Sequence, residues 1–197
     1  MELKNVNLNR RIIMSIIDKQ LLEKLENSVE KGIKETLKYT LEKYSQDDVF
    51  TYALYIDEDC TSLGWAANTL SHYEEIKTEF KNPQTISAIK WFYSYFSLGL
   101  GDLEDGFDEI FYKDIYSILE EISEYEPHDD FTIYQSEIFD SLLKSFRLAI
   151  QDYTNHNITF FMTIVDSDNA KLMEDFSAKE LNSENLYFEF IHRFDQT

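Results

Sequence analysis

Two pairs of aspartates are the residues of this sequence whose type and spacing could support chemistry. Asp57 and Asp59 follow one predicted strand, and Asp166 and Asp168 follow another. If these strands were neighbours that ran in the same direction, the four carboxylates could meet at one edge of a sheet. Oxygen clusters of this kind bind hard cations such as Mg²⁺ and Ca²⁺. One hypothesis is therefore a divalent-metal-binding module or a metal-dependent enzyme.

The same aspartates are also ordinary turn residues. Asp and Asn are common in turns, and Asp166 or Ser167 could cap the helix that follows. The second pair lacks the Gly and the distal Glu of a calcium-binding EF-hand loop. We favour turns and caps over a metal site, because two short Asp-x-Asp matches are weak signals.

A second candidate site is an acidic run that spans a predicted loop and the start of a helix. It contains six carboxylates: Asp102, Glu104, Asp105, Asp108, Glu109 and Asp114. Projected from a small area, they could form a docking surface for a Lys/Arg-rich protein. The alternative is a solvated face whose first-turn acids interact favourably with the helix dipole.

The charge of the chain is distributed unevenly. Residues 1–46 carry 9 basic and 7 acidic side chains, whereas residues 47–197 carry 9 basic and 31 acidic side chains. A negative field of this size repels nucleic acids and anionic lipid, and it attracts basic proteins. We therefore expect no nucleic-acid or membrane partner, and a basic protein partner is possible. Acidity that only confers solubility is the alternative.

Several kinds of enzyme site are missing from the sequence. The four histidines show no HExxH or other recognisable ligand spacing, and no GxSxG, Walker A or protein-kinase motif occurs. Cys60 is the only cysteine, so neither an intrachain disulfide nor a cysteine-based zinc site can form. The apolar run at residues 12–17 is too short to span a membrane. These observations predict a cytoplasmic protein with no cofactor and no catalytic residue set.

The hydrophobic patterning predicts a single α+β domain over residues 1–197. Apolar residues recur about every four positions over residues 12–45, so residues 1–46 are mainly one long helix. The fold class is α+β, with a small mostly antiparallel sheet packed by this helix and by several later helices. The predicted strands are 49–56, 62–67, 86–98 and a central strand at 158–165.

The remaining segments complete this prediction. A hairpin loop joins the first two strands at residues 57–61, and residues 99–106 form a second loop. The predicted helices cover 69–81, capped by Thr69 and stopped by Asn82-Pro83, then 107–125, 132–153, a segment ending near 181, and 184–192. Thr132 and Gln135 resemble a capping box at the start of the fourth helix.

Several blocks of the chain are similar to a known family. Their residues are Ala53-Leu54-Tyr55, Asp57-Glu58-Asp59 and Ala66-Ala67-Asn68-Thr69, then Trp91, and finally Ile164-Val165-Asp166-Ser167-Asp168 and Leu181-Asn182. With these blocks, residues 12–190 resemble a bacterial family of unknown function, domain-of-unknown-function family 4303. Cys60 and the pair Gly64-Trp65 depart from the family pattern. The resemblance implies no activity. Some relatives are thought to neighbour polymorphic toxin genes, which implies an immunity-type role for those members.

Three functional hypotheses follow. The first is a non-enzymatic, acidic, cytoplasmic protein that docks a basic toxin or effector, so an enzyme is the less favoured class. The second is a metal-binding module or enzyme that uses Asp57, Asp59, Asp166 and Asp168. The third is a structural domain with no discrete site.

Overall fold

The computed structural model describes residues 15–45, 48–101, 108–125 and 131–195. In these ranges four strands form one sheet, in the order β3-β2-β1-β4. The strands are β1 (Val49–Ile56), β2 (Leu63–Thr69), β3 (Leu98–Gly99) and β4 (Thr159–Ile164). β2 pairs antiparallel with both β1 and β3, whereas β1 and β4 are parallel. The α+β class is confirmed, and the mostly antiparallel sheet contains one parallel pair.

Seven α-helices surround the sheet in the described ranges. They are α1 (Lys19–Lys43), α2 (Leu70–Ile76), α3 (Pro83–Trp91), α4 (Tyr116–Ser123), α5 (Phe131–Ala149), α6 (Ala170–Leu181) and α7 (Glu184–Ile191). A π-helical turn, Phe111–Ile115, leads directly into α4. No helix in the described ranges is both long enough and apolar enough to cross a lipid bilayer.

The predicted long N-terminal helix is present as α1, but it starts later than expected. Asp18 is its N-cap, because the Asp18 side chain accepts hydrogen bonds from the backbone amides of Gln20 and Leu21. Such a cap satisfies amides that have no partner within the helix. The prediction of helix over residues 15–18 was therefore wrong, and residues 12–14 lie outside the described residues.

One face of the sheet packs against α1, α4 and α5 and forms the main core. Tyr52 and Trp65 project from β1 and β2 onto this face, and their rings stack with centroids 5.6 Å apart. The Tyr52 hydroxyl lies 2.7 Å from the Thr36 hydroxyl of α1. The polar end of Tyr52 thus gains a partner inside the core, which removes the cost of burying it unpaired.

The opposite face of the sheet carries a smaller aromatic core. Phe50 and Phe161 on the sheet meet Trp91 of α3 and Phe190 of α7. Trp91 contacts both Phe50 and Phe190 edge-on, at centroid distances of 5.7 and 5.3 Å. Both tryptophans of the chain, Trp65 and Trp91, are thus buried.

The predicted strand at residues 86–98 was wrong. Residues 83–91 form α3, a 3₁₀ turn follows at Tyr93–Tyr95, and only Leu98 and Gly99 pair with β2. Asn82 accepts a hydrogen bond from the Gln84 amide, so Asn82-Pro83 starts this helix. The helix predicted over residues 69–81 ends earlier than Asn82-Pro83, because α2 stops at Ile76 and a 3₁₀ turn follows at Lys77–Glu79. Local capping outweighs the strand preference of the aromatic residues.

The prediction of a central position for β4 was also wrong, because β4 is an edge strand. Its side chains are almost all buried on both faces, which produces the continuous apolar sequence. Its outer backbone groups are hydrogen-bonded by side chains of α6 and of the residue after it. Asn182 accepts from the Phe160 amide at 2.8 Å and donates to the Phe160 carbonyl at 2.6 Å. Ser177 accepts from the Met162 amide at 2.8 Å.

The predicted capping box of the fourth helix is absent. α5 begins at Phe131, so Thr132 already lies within the helix rather than at its N-cap. The Gln135 side chain donates instead to the Glu58 carbonyl at 2.7 Å, in the loop between β1 and β2. The capping prediction for Thr69 is confirmed, since its hydroxyl accepts from the His72 amide.

Candidate functional site

The two aspartate pairs leave the sheet at the same edge. Ile56 pairs with Ile164 in the parallel β1–β4 ladder, and the Val165 amide donates to the Ile56 carbonyl at 2.8 Å. Residues 57–62 and 165–169 therefore continue side by side beyond the strands, and we call these two segments the strand-end edge. Ligands of α/β proteins commonly bind beyond the carboxyl ends of parallel strands.

Asp57 organises the hairpin loop at this edge. Its carboxylate accepts from the Thr61 amide and hydroxyl, both at 2.6 Å, and from the Ser62 amide and hydroxyl at 3.2 and 2.9 Å. Partial burial acts to raise the pKa of Asp57, but these hydrogen bonds outweigh burial and hold the pKa below its ordinary value. The Asp57 carboxylate thus makes its hydrogen bonds within its own loop.

Replacing Asp57 is expected to loosen this loop. Asp57→Ala removes four hydrogen bonds to one carboxylate, and we expect the free energy of unfolding to fall by about 1–2 kcal/mol. The matched variant Asp59→Ala, at an exposed position of the same loop, should change it by less than about 0.5 kcal/mol.

Both variants should be measured by urea denaturation at pH 7 and pH 3. A carboxylate with a lowered folded-state pKa stabilises the protein above its unfolded-state pKa, and this contribution is lost as the pH falls through the folded-state pKa. The difference between wild type and Asp57→Ala should therefore shrink at pH 3. Equal effects of Asp57→Ala and Asp59→Ala at pH 7 would show that the loop does not depend on the Asp57 carboxylate.

The other predicted metal ligands point into solvent. Asp59, Asp166 and Asp168 are exposed, and Asp166 has a positive φ of 58°, which Asp tolerates better than most residues. Within the described ranges, no group of three or more His, Cys, Asp or Glu side chains is arranged to hold a metal ion. The sheet topology thus brings the four residues to one edge, but the described side chains do not form the oxygen cluster that the metal hypothesis required.

The predicted acidic run after residue 101 is only partly described. Asp102, Glu104 and Asp105 lie outside the described residues. Asp108 is buried, with 2% of its surface exposed, and it accepts a hydrogen bond from the Gly101 amide at 2.7 Å. The prediction that Asp108 projects toward a partner was therefore wrong, because its carboxylate satisfies a backbone amide inside the fold.

The two remaining members of this acidic run are exposed. Glu109 forms an ion pair with Lys113, with a nitrogen–oxygen distance of 2.7 Å, and Asp114 lies on the exposed side of the π-helical turn. An exposed pair of this kind contributes little to stability. Glu109 and Asp114 remain candidates for partner contact.

A cleft between α5 and α6 opens beside the strand-end edge, and we call it the α5–α6 cleft. Its volume is about 420 Å³. Its apolar lining comes from Ile56, Phe139, Ile164, Leu172, Met173 and Phe176, and its polar lining comes from Thr132, Gln135, Ser136, Asp140, Asn169 and the thiol residue Cys60. Pockets of this size with a few polar groups are typical binding sites.

Two large apolar side chains stand exposed beside this cleft. Leu172 and Phe176 lie one turn apart on α6, and 67% and 48% of their surfaces are exposed. Opposite them, on α5, partial burial raises the pKa of the exposed residue Asp140. The cleft could not be predicted from the sequence, because its walls come from separate segments. The one available signal was a pair of apolar residues on α6 at i and i+4, beyond those needed for its buried face.

A second cleft, of about 290 Å³, lies at the same edge on the opposite face of the sheet, lined in part by Tyr93 and Asp166. Tyr55 stacks on Tyr93 with ring centroids 4.7 Å apart. The Tyr55 ring lies directly over Gly64, where any Cβ atom would overlap it. Gly64 therefore has a packing role, which accounts for its place in a fully buried strand. In the second cleft, burial and the charge of Asp166 both raise the pKa of Tyr93.

Together these features define an α+β domain whose acidic strand-end turns lie next to an apolar cleft. The chain belongs to the family described as Domain of unknown function (DUF4303), whose model matches residues 29–183. The matched segment includes all four strands, both aspartate turns and the Leu181-Asn182 pair that reaches β4. This confirms the resemblance that the sequence blocks indicated. Neither the curated proteins nor the solved structures contain a significant match.

Proposed function

We propose that this protein is a non-enzymatic binding protein that docks a Lys/Arg-rich protein at the strand-end edge. One observation carries the proposal: among the described residues, no cation pairs with the exposed carboxylates at this edge. Glu58, Asp59, Asp166 and Asp168 form no ion pair with any described residue. Uncompensated charge at an exposed edge attracts and orients an oppositely charged partner.

Most of the basic residues in the acidic part of the chain are already committed to other carboxylates. Seven of the nine basic residues after position 47 are already paired with carboxylates: Lys77, Lys90, Lys113, Lys144, Arg147, Lys171 and Arg193. None of these ion pairs involves a residue of the strand-end edge. The negative field at this edge is therefore available to a partner rather than being cancelled within the fold.

The use that we propose for this docking is of the immunity type. A basic toxin or effector that acts on nucleic acid or another anionic substrate needs a cationic active site. An acidic surface that covers such a site in the cytoplasm would block access of the substrate. The role implied for some relatives by the family resemblance supports this proposal.

The test compares two variants that change the net charge equally. The edge variant carries Glu58→Gln, Asp59→Asn, Asp166→Asn and Asp168→Asn, and it leaves Asp57 intact because Asp57 holds the loop. The control variant removes four exposed acids that lie elsewhere and form no ion pair with a described residue: Glu75→Gln, Glu79→Gln, Glu120→Gln and Glu124→Gln. Each protein is immobilised and exposed to lysate of the native host at about 50 mM and about 500 mM salt.

We expect wild type and the control variant to retain the same basic protein at low salt and to release it at high salt. The edge variant should retain at least about tenfold less, because four partner contacts are lost. Equal losses in the two variants would mean that only total charge matters, which contradicts docking at this edge. Failure of wild type to retain any basic protein would contradict the proposed function itself.

A further inference from the structure

We propose that the α5–α6 cleft receives a large apolar side chain of the basic partner, while Lys or Arg residues beside it bind the carboxylates around the cleft. This inference rests on the proposed function of the same edge. It specifies the partner segment as both apolar and cationic.

The apolar component follows from the cleft walls. Phe139 of α5 and Met173 of α6 line a space of about 420 Å³. Two further lining residues of α6 are exposed, Leu172 over most of its surface and Phe176 over nearly half. In a soluble protein a group of exposed apolar residues around a cleft marks a binding surface. A large apolar side chain placed there removes apolar area from water on both partners.

The cationic component follows from the groups around the cleft. Asp140 contributes a carboxylate from the α5 wall, and the loop that carries Glu58 and Asp59 is joined to α5 by the hydrogen bond from Gln135 to the Glu58 carbonyl. None of these three carboxylates pairs with a cation among the described residues.

A lysine beside the cleft is already paired within the fold. Lys171, next to Leu172 on α6, bonds to the Asp175 carboxylate at 2.6 Å. The carboxylates around the cleft would therefore repel an anionic occupant, and a neutral apolar occupant would leave them without a partner. A segment that combines positive charge with an apolar anchor satisfies both components, since interface energy concentrates in a few buried anchor residues.

The cleft is held in place before any partner arrives. Hydrogen bonds to Asp57 hold the loop on one side, and Ser177 and Asn182 attach α6 and the residue after it to the backbone of β4 on the other side. A preformed site loses less conformational entropy on binding. We therefore expect the cleft to bind short peptides as well as an intact partner.

The test uses two fluorescein-labelled heptapeptides and fluorescence anisotropy at about 50 mM salt. One peptide alternates Arg and Leu, and the other alternates Arg and Gly, so that they differ only in the apolar side chains. We expect wild type to bind the Arg-Leu peptide at least about tenfold more tightly than the Arg-Gly peptide. The cleft variant Leu172→Ser/Phe176→Ser should lose this preference but still bind both peptides weakly.

Two further variants act as controls. Leu148→Ser/Phe188→Ser removes two exposed apolar residues that do not line the cleft, and it should keep the preference for the Arg-Leu peptide. The edge variant defined above should bind both peptides at least about tenfold more weakly. Urea midpoints of all variants are compared first, so that a loss of binding is scored only in folded protein.

The outcomes separate this inference from the proposed function. If the edge variant loses binding but the cleft variant keeps the full preference for leucine, the cleft is not the apolar site and docking at the edge still stands. Equal affinity of wild type for the two peptides overturns the apolar anchor in the same way. If wild type binds neither peptide at low salt, both the inference and the proposed function fail.

Discussion

Arg193→Ala is expected to lower the free energy of unfolding by about 3–5 kcal/mol, because it removes a buried guanidinium that pairs with two partly buried carboxylates. The Arg193 side chain is 1% exposed. It donates to Glu174 at 2.7 Å and to Asp175 at 2.6 Å, and also to the Phe190 carbonyl at 2.9 Å. Its guanidinium carbon lies 4.0 Å from the centre of the Phe190 ring.

The same guanidinium connects three elements. Glu174 also accepts from the Thr163 hydroxyl of β4 at 2.8 Å. The Arg193–Glu174 ion pair therefore joins α6 and the segment after α7 to the sheet. Lys171→Ala is the matched control, since it removes the exposed cation that also contacts Asp175. We expect that control to cost at most about 1 kcal/mol. Equal losses for the two variants in urea denaturation would contradict a structural role of the buried guanidinium.

The ion pair between Arg193 and Asp175 also makes the stability of the protein depend on pH. Burial acts to raise the pKa of Asp175, but hydrogen bonds and charge from Lys171 and Arg193 outweigh it and hold the pKa below its ordinary value of 3.8. A lowered folded-state pKa means that the stabilisation is present above the unfolded-state pKa and is lost as the pH falls through the folded-state pKa. Wild type should therefore lose stability below about pH 4, and Arg193→Ala should show a smaller part of that loss.

Asn182→Ala is expected to cost about 2–4 kcal/mol, because it removes the partners of two buried backbone groups. Asn182 acts as a substitute for a neighbouring strand: its side chain pairs with both the amide and the carbonyl of Phe160. It also donates to the Ala178 carbonyl at 2.7 Å, which ends α6. Water reaches this outer edge poorly, since Phe160 is only 2% exposed.

Hydrogen exchange provides a direct measurement of this effect. In Asn182→Ala the Phe160 amide should exchange at least about tenfold faster relative to the Leu54 amide in β1. Asn185→Ala changes an exposed asparagine three residues away and should alter neither exchange nor unfolding. Unchanged protection of Phe160 in Asn182→Ala would show that other groups cover this edge of the sheet.

Elements with strong local signals could be predicted from the sequence. The four-residue spacing of Leu25, Val29, Ile33 and Leu37 indicated α1, and the acidic turn between two β-rich runs indicated the hairpin. Residues 86–98 were mispredicted because alternation of aromatic residues is compatible with both a helix and a strand in a short window. The apolar run at residues 158–165 indicated burial on two faces, but it contained no information on the number of neighbouring strands.

The candidate site was predictable only in part. Asp57 and Asp166 could be placed after strands, but their juxtaposition depends on the parallel pairing of β1 with β4, which local sequence does not encode. Asp108 looked like its exposed neighbours, and only the fold shows that its carboxylate bonds to Gly101. The α5–α6 cleft is lined by both Phe139 and Leu172, and no periodicity within one segment indicates that these residues share a cleft.

The parallel pairing of β1 with β4 also affects how the protein is made. Thr51 and Thr159 are hydrogen-bonded although they lie 108 positions apart, and α1 packs mainly against α5. A ribosome that has synthesised only the first half of the chain has therefore released a helix whose apolar stripe still lacks its main partner. That nascent chain stays exposed to holdase chaperones and to self-association until α5 and β4 have emerged from the exit tunnel.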